Sequence, residues 1–370
     1  MGIAETYSRG RRLAARNPVG VVVAAVGVLL FIDLVTALAA GGVAVSRVGR
    51  LVWDGLMRGL VIGLAGIGLS MTYSILGFAN FAHGDYISSG AFAGWAATYL
   101  LAGLGRADVG SLLLVGAGGS VFGAQLGVGV ANTPVAVVLG IVVAAVASVV
   151  LALAVDRVVF KPLRSESGIA LLITSIGVAF ALRNLIQFVF GPARRGTTDA
   201  SGVPQLVIPL VDGTLAVDGH DVTLLLVAGG LMLGVHLLLQ RTKLGKAMRA
   251  MSDNRDLARV TGIPTEQVVT ATWVIGAALT GVAGYILVLW KGTITFNDGW
   301  LLLLLIFAAV ILGGIGSVYG AIVGGLVIGL TASLAAIWIP EAFARAAAFV
   351  VMIVVLILRP TGIFGGRSTA

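Results

Sequence analysis

The chain contains no cysteine, only three histidines in 370 residues, and charged side chains at only 11% of positions. Without cysteine there is neither a disulfide framework nor a thiolate metal site. His83, His220 and His236 are too scattered to form a metal cluster. There is no G-x-x-x-x-G-K-[ST] phosphate loop, no H-E-x-x-H and no grouped acids in a metal-binding arrangement, so nucleotide or metal chemistry has no visible seat in this chain. An intramembrane enzyme is a poor reading as well, because no nucleophile and base stand at a working spacing. The low charge is far from the roughly 25% of a soluble domain. The apolar runs do not alternate, which argues against a transmembrane barrel.

What fills the chain instead is hydrocarbon: 58% of residues are hydrophobic and the mean hydropathy is +1.06. A helix needs roughly 20 mostly apolar residues to cross a bilayer. Ten segments qualify as candidates: 19–40, 56–77, 85–104, 134–156, 169–190, 222–240, 268–290, 300–313, 318–338 and 343–358. The eighth is too short to span comfortably. The expected fold is an all-α polytopic membrane protein, a glycine-rich bundle of about nine to ten hydrophobic segments, some short or broken.

The net charge of +8 describes loops beside anionic lipid, with no basic and aromatic interleaving to suggest nucleic acid. If the N-terminus is cytoplasmic and every segment crosses, Arg9, Arg11, Arg12, Arg16, Arg157, Lys161, Arg164, Arg241, Lys243, Lys246, Arg249, Arg255, Arg259, Arg359 and Arg367 lie inside. These are fifteen of the 24 Lys and Arg residues, an excess that favours both termini in the cytoplasm of a multi-pass cell-membrane protein. Arg47, Arg50, Arg194 and Arg195 dissent, and Arg183 falls within a segment. The basic start, apolar run and "ALAAGG" of the first segment also fit a cleaved signal peptide, although the run exceeds the usual h-region and contains Asp33.

The 53 glycines cluster inside apolar segments, where small residues let helices approach closely. Gly66–Ile67–Gly68 and Gly313–Gly314–Ile315–Gly316–Ser317 are denser than packing requires, and broken helices are expected at both. Between two apolar runs stands "LGFANFAHGDY" at 76–86. Asn80 and Asp85 suit helix N-caps, and Gly77 or Gly84 suits a positive φ. The plain structural reading is a tight connection. The functional one is a polar break on a translocation path, because ionisable groups inside a membrane face a cavity or the bundle interior. A proton relay through His83 and Asp85 is weak, since residues two apart do not share a helix face.

In the basic stretch "KLGKAMRAMSDNRDLARVTGIPTEQ" at 243–267, Ser252 or Asp253 is expected to cap a short helix starting near Asn254, with Gly262 ending it and Pro264 preventing continuation. So short a helix is marginal unless a partner packs on it.

Five stretches carry a resemblance: "YSILGFANFAHGDYISSGAF" at 73–92, "DRVVFKPLRS" at 156–165, "KLGKAMRAMSDNRDLARVTGI" at 243–263, "AAVILGGIGSVYGAIVGGLVIG" at 308–329 and "RPTGIFG" at 359–365. In order and wording the chain resembles the H-type permease of branched-chain amino-acid ABC importers, the Liv family. The resemblance implies a heterodimer with a related M-type permease, two cytoplasmic ABC ATPases that bind ATP and Mg, and an extracytoplasmic solute-binding protein. The chain itself would bind no cofactor and catalyse nothing.

On that basis 252–263 is the expected coupling loop, with Asp253, Asn254, Arg255, Asp256, Ala258 and Gly262 against an ATPase. Asn80, His83, Gly84, Asp85, Gly313, Gly314, Gly316 and Ser317 are candidates for the pathway or its gate, chosen from sequence shape alone. Residues 51–365 form the expected permease domain, preceded by a basic tail and extra transmembrane segment over 1–50 and followed by a tail at 366–370. The apolar, glycine-rich stretch 105–134 is a second departure from the family. Branched-chain or other hydrophobic amino acids are the expected cargo, with urea or short amides, and a stand-alone channel or secondary transporter, as alternatives.

Overall fold

The computed structural model describes residues 18–104, 127–164, 166–198 and 203–365. Among the described residues, ten apolar helices account for the ten expected segments: α1 (Pro18–Ala39), α2 (Val45–Leu76), α3 (His83–Ala102), α4 (Pro134–Val155), α5 (Gly168–Phe190), α6 (Gly219–Arg241), α9 (Thr265–Lys291), α10 (Asp298–Gly313), α11 (Val318–Leu334) and α12 (Ala344–Leu358). Two short helices, α7 (Lys243–Asp253) and α8 (Arg255–Val260), connect α6 to α9. Eight of the apolar helices are long and apolar enough to cross a membrane. The other two are α3 and α10.

Helix ends are set locally. Asp218 and Asp221 make a reciprocal capping box at the start of α6, and Ser167 accepts from Ala170 N at the start of α5, in each case satisfying an amide that has no intrahelical partner. After Val155 the helix widens through a π-turn, Asp156–Phe160, and then tightens into a 3-10 turn, Lys161–Leu163.

α2 and α9 form the centre of the bundle, with 83% and 78% of their most apolar stretch buried, against 22% in α5 and 11% in α12. α2 lies antiparallel to α11, with Gly55 and Gly59 facing Gly325 and Gly329; a Cβ on Gly329 would stand 2.4 Å from the Gly59 amide nitrogen. The expectation of a break at Gly66–Gly68 is overturned. α2 is continuous there, and a Cβ on Gly68 would meet the Gly276 carbonyl of α9 at 2.6 Å. The glycines are dense because two neighbours approach one helix. The break expected at 313–317 is real: α10 stops at Gly313 and α11 starts at Val318.

α2 begins at Val45 rather than at 56, so it runs through residue 50 and the expected boundary there moves back to the 40–44 loop. α1 stands apart, tied to the turn before α12 by Trp338 Nε1, which donates to Asp33 at 2.8 Å. Of the stretch 105–134, residues 105–126 lie outside the described residues, as do 1–17 and 366–370.

The strands were not expected. β1 (Arg195–Gly196) pairs antiparallel with β4 (Thr293–Ile294), and β2 (Gln205–Leu210) pairs with β3 (Gly213–Asp218) in register Leu210 to Gly213. The hairpin's tip holds the start of α2: Asp212 accepts from Val45 N at 2.5 Å and from Ser46 N at 2.8 Å. The bundle therefore has a hairpin end and, opposite it, a basic end carrying α7 and α8.

Candidate functional site

The head of α3 starts inside the bundle. α2 closes at Gly77 with φ 74°, and residues 77–82 return alongside α5, where Phe81 N donates to Ser175 Oγ at 3.0 Å. Asn80 is fully buried and its Oδ1 accepts from Ala82 N at 3.0 Å, closing the turn into the helix. His83 then lies level with Thr280 of α9, fifteen residues and hence about 22 Å from the start of that helix. Its Nε2 reaches the Ala65 carbonyl at 2.9 Å and Thr280 Oγ1 at 3.2 Å. A carbonyl only accepts, so Nε2 carries the proton.

Asp85 faces a different neighbour. Both its oxygens accept from Arg183 of α5, from Nε at 3.4 Å and Nη2 at 3.3 Å, and both residues are buried. The guanidinium lies 4.1 Å from the Trp300 ring centroid and 5.4 Å from that of Phe180. His83 and Asp85 therefore serve separate partners, and the structure gives the proton-relay reading no geometry.

Gly84 completes this group by permitting contact with α10. A Cβ on Gly299 would stand 1.9 Å from the Gly84 carbonyl, and Ser88 Oγ accepts from Gly299 N at 3.1 Å. The first turns of α3 and α10 thus meet in the bundle, and these are the two apolar helices outside the eight that are long and apolar enough to cross a membrane. Phe81 packs against Phe307 at 4.8 Å and Trp300 at 6.4 Å, continuing the aromatic surface over which Arg183 lies.

Gly313, Gly314, Gly316 and Ser317 are elsewhere. They form the turn between α10 and α11 at the basic end, fourteen residues or about 21 Å along α10 from Gly299. Gly314 and Gly316 take φ 107° and 86°, left-handed conformations that glycine adopts without strain, and Ser317 accepts from Gly320 N at 2.9 Å to cap α11. The tail clamps the turn: Ile363 N and Phe364 N donate to the Leu312 and Gly313 carbonyls, each at 2.9 Å. The two candidate groups therefore occupy opposite ends of α10 and do not form one site.

In the basic stretch the capping residue is Asn254, not Ser252 or Asp253. Its Oδ1 accepts from Leu257 N at 2.9 Å, while Ser252 and Asp253 belong to α7, an amphipathic helix that buries Met248 and Met251. Gly262 takes φ 85° after α8, as its place before Pro264 suggests. Asp253, Asn254, Arg255, Asp256 and Gly262 are exposed. Ala258 is not: it is 3% exposed and its carbonyl accepts from Ile263 N, so it packs the short helix down instead of facing outward. The outward apolar residues are Leu257 and Val260, 59% and 78% exposed. They went unread because in sequence they pass for the buried face of a helix.

A second ion pair also escaped the sequence. Arg164 donates from Nη2 to both oxygens of Asp156, at 2.6 and 2.8 Å, and from Nη1 to Glu266 at 3.0 and 3.2 Å. It ties the turn after α4 to the start of α9, beside α7 and α8.

The model of a protein family described as "Branched-chain amino acid transport system / permease component" matches residues 51–357. The chain is 30% identical over 322 residues to the high-affinity branched-chain amino acid transport system permease protein BraD of Pseudomonas aeruginosa, covering 84% of this chain and 94% of that protein. It is 28% identical over 319 residues to LivH of Escherichia coli K12, a permease protein of the same description, covering 85% and 94%. A probable LivH of Methanocaldococcus jannaschii matches over 142 residues at 34% identity, covering 36% and 45%. The match starts within α2 and ends within α12, taking in the heads of α3 and α10 and both short helices. The chain belongs to the family of branched-chain amino-acid transport permease components.

Proposed function

We propose that the chain is the membrane-spanning permease subunit of an ATP-driven importer that passes branched-chain or other hydrophobic amino acids from an extracytoplasmic binding protein into the cytoplasm. The observation that carries the reading is the projection at the basic end. α8 is a single exposed turn or two, anchored by Ala258 and presenting Leu257 and Val260 outward, in a chain whose sequence has no phosphate loop. A helix so short is stable only on support, and its apolar tip suits a groove on a separate ATPase. ATP and Mg then belong to two such partners, and this subunit binds no cofactor of its own. A related M-type permease completes the membrane unit.

The Lys and Arg residues concentrated at this end support a cytoplasmic location for it, with both termini inside and the β2–β3 hairpin outside. The substrate class named for the relatives supports branched-chain amino acids over urea or short amides.

Purification of the tagged chain from its native membrane in mild detergent, with mass spectrometry of what is retained, tests the assembly. Two ATPases and a second permease are expected. Leu257→Asp with Val260→Asp is expected to release the ATPases while leaving the chain in the membrane. Recovery of the chain alone, also after crosslinking before solubilisation, would overturn the reading in favour of a stand-alone channel or ion-coupled carrier.

A further inference from the structure

The buried pair formed by Asp85 and Arg183 links the first turn of α3 to α5 and caps no backbone amide. Charges in hydrocarbon are costly, and a buried ion pair is often no better for stability than apolar residues of the same shape. Its geometry is also loose. Contacts of 3.3 and 3.4 Å compare with 2.6 and 2.8 Å between Asp156 and Arg164.

Its surroundings are aromatic and partly exposed. Arg183 is 9% exposed and lies against Trp300 and Phe180, the latter 52% exposed; Phe81 and Phe307 extend the same partly exposed face. Beneath it the first turns of α3 and α10 converge at Gly84 and Gly299, and both bring the positive ends of their helix dipoles.

We propose that the Asp85–Arg183 pair is an intramembrane subsite for the head group of a zwitterionic amino acid, with the aromatic face of Phe81, Phe180, Trp300 and Phe307 receiving its apolar side chain. The proposal rests on the importer reading above and assigns its substrate class to particular residues. When the pair separates, the guanidinium takes the carboxylate and Asp85 takes the ammonium. One ion pair becomes two, and neither protein charge is left unmatched. An amine or a carboxylic acid alone satisfies only one of the two groups, and urea satisfies neither ionically. A buried unpaired charge is heavily penalised, so the pair selects for the zwitterion.

The test uses the whole importer in proteoliposomes, supplied with its binding protein and labelled leucine. Absence of uptake by the wild-type complex overturns the importer reading, and the subsite with it. Given wild-type uptake, Asp85→Asn with Arg183→Gln removes both charges and strands neither. The complex is expected to assemble and hydrolyse ATP while leucine uptake falls about tenfold or more. Uptake close to wild type would make the pair structural and overturn the subsite alone.

A second measurement does not depend on that variant assembling. In the complex without binding protein, the fluorescence of Trp300, isolated by difference from Trp300→Phe, is expected to respond to leucine and much less to leucinamide or 4-methylpentanoate. No response to leucine, or an equal response to all three, overturns the subsite.

Discussion

Asp156–Arg164 and Asp85–Arg183 are both carboxylate–guanidinium pairs inside one helix bundle, and they are built in opposite ways. The first is short and shared with Glu266, and it fastens the turn after α4 to the first turn of α9. The second is long, and the guanidinium's other side rests on an indole instead of a second carboxylate. A charge with several close partners has nothing to gain by moving. A charge held by one distant partner and a ring can exchange that partner for another at little cost. The position of each pair agrees with this under the proposed function: the fastened one lies beside α7 and α8, where the proposed ATPases would act, and the loose one lies where the first turns of α3 and α10 meet.

The sharpest way to break this contrast is to remove the cation of the fastened pair. Arg164→Gln leaves Asp156, 7% exposed, without its partner, and the expected loss is about 3–5 kcal/mol, read as a lowered Tm of the purified protein in detergent. The neutral double change at Asp85 and Arg183 is expected to cost far less. If the two variants lost equal stability, the pairs would not differ in kind. Next in size is Gly299→Val. Its Cβ would fall 1.9 Å from the Gly84 carbonyl, forcing the heads of α3 and α10 apart at about 1–3 kcal/mol and moving Asp85 relative to Arg183. Leucine uptake should fall more steeply than Tm. A proportional fall would place the first turns of both helices outside the path.

The sequence disclosed the bundle well and its contacts poorly, for a physical reason. Spanning a bilayer requires a long apolar run, so ten segments stand out with ends within a few residues, α2 excepted. The identity of the neighbour is not written in such a run. Gly66–Gly68 looked like a break because glycine density in one helix is the same signal whether the backbone bends or two other helices press on it. Asp85 was singled out from its position, but its partner is 98 residues away in a segment where Arg183 read only as an anomaly in the charge count. Likewise Asn254 and Ser252 are equally good caps by type, and only the continuation of α7 through Asp253 decides between them. The hairpin was missed although Pro204, Asp212 and Gly213 punctuate it, because strands of six residues give a weak signal beside apolar runs of about twenty.

Smaller effects sharpen the comparison further. Glu266 is 59% exposed on its side chain, so water competes for its bond with Arg164. Glu266→Gln should cost under about 1 kcal/mol, a loss that rising salt should mimic in the wild type. A cost as large as that of Arg164→Gln would mean that the network, not the Asp156 contact, is the fastener.

The smallest effect concerns a carboxylate with no cation in its cradle. Asp212 is held by the backbone amides of Ser46 and Val45, and those hydrogen bonds keep its carboxyl below the usual carboxylate range. Because the folded value is depressed, its contribution is present above the unfolded value and is lost as pH falls through the folded one. Protection of the first amides of α2 from hydrogen exchange should therefore hold from neutral pH through the ordinary carboxylate range and decline only below it. In Asp212→Asn the protection should be weaker at neutral pH and flat across the same interval. A wild-type profile as flat as the variant's would mean that the hairpin tip does not hold α2 in solution. A carboxylate satisfied by peptide dipoles needs no counter-ion, so of the three buried or capping acids compared, only Asp85 is left with a charged partner that it can trade.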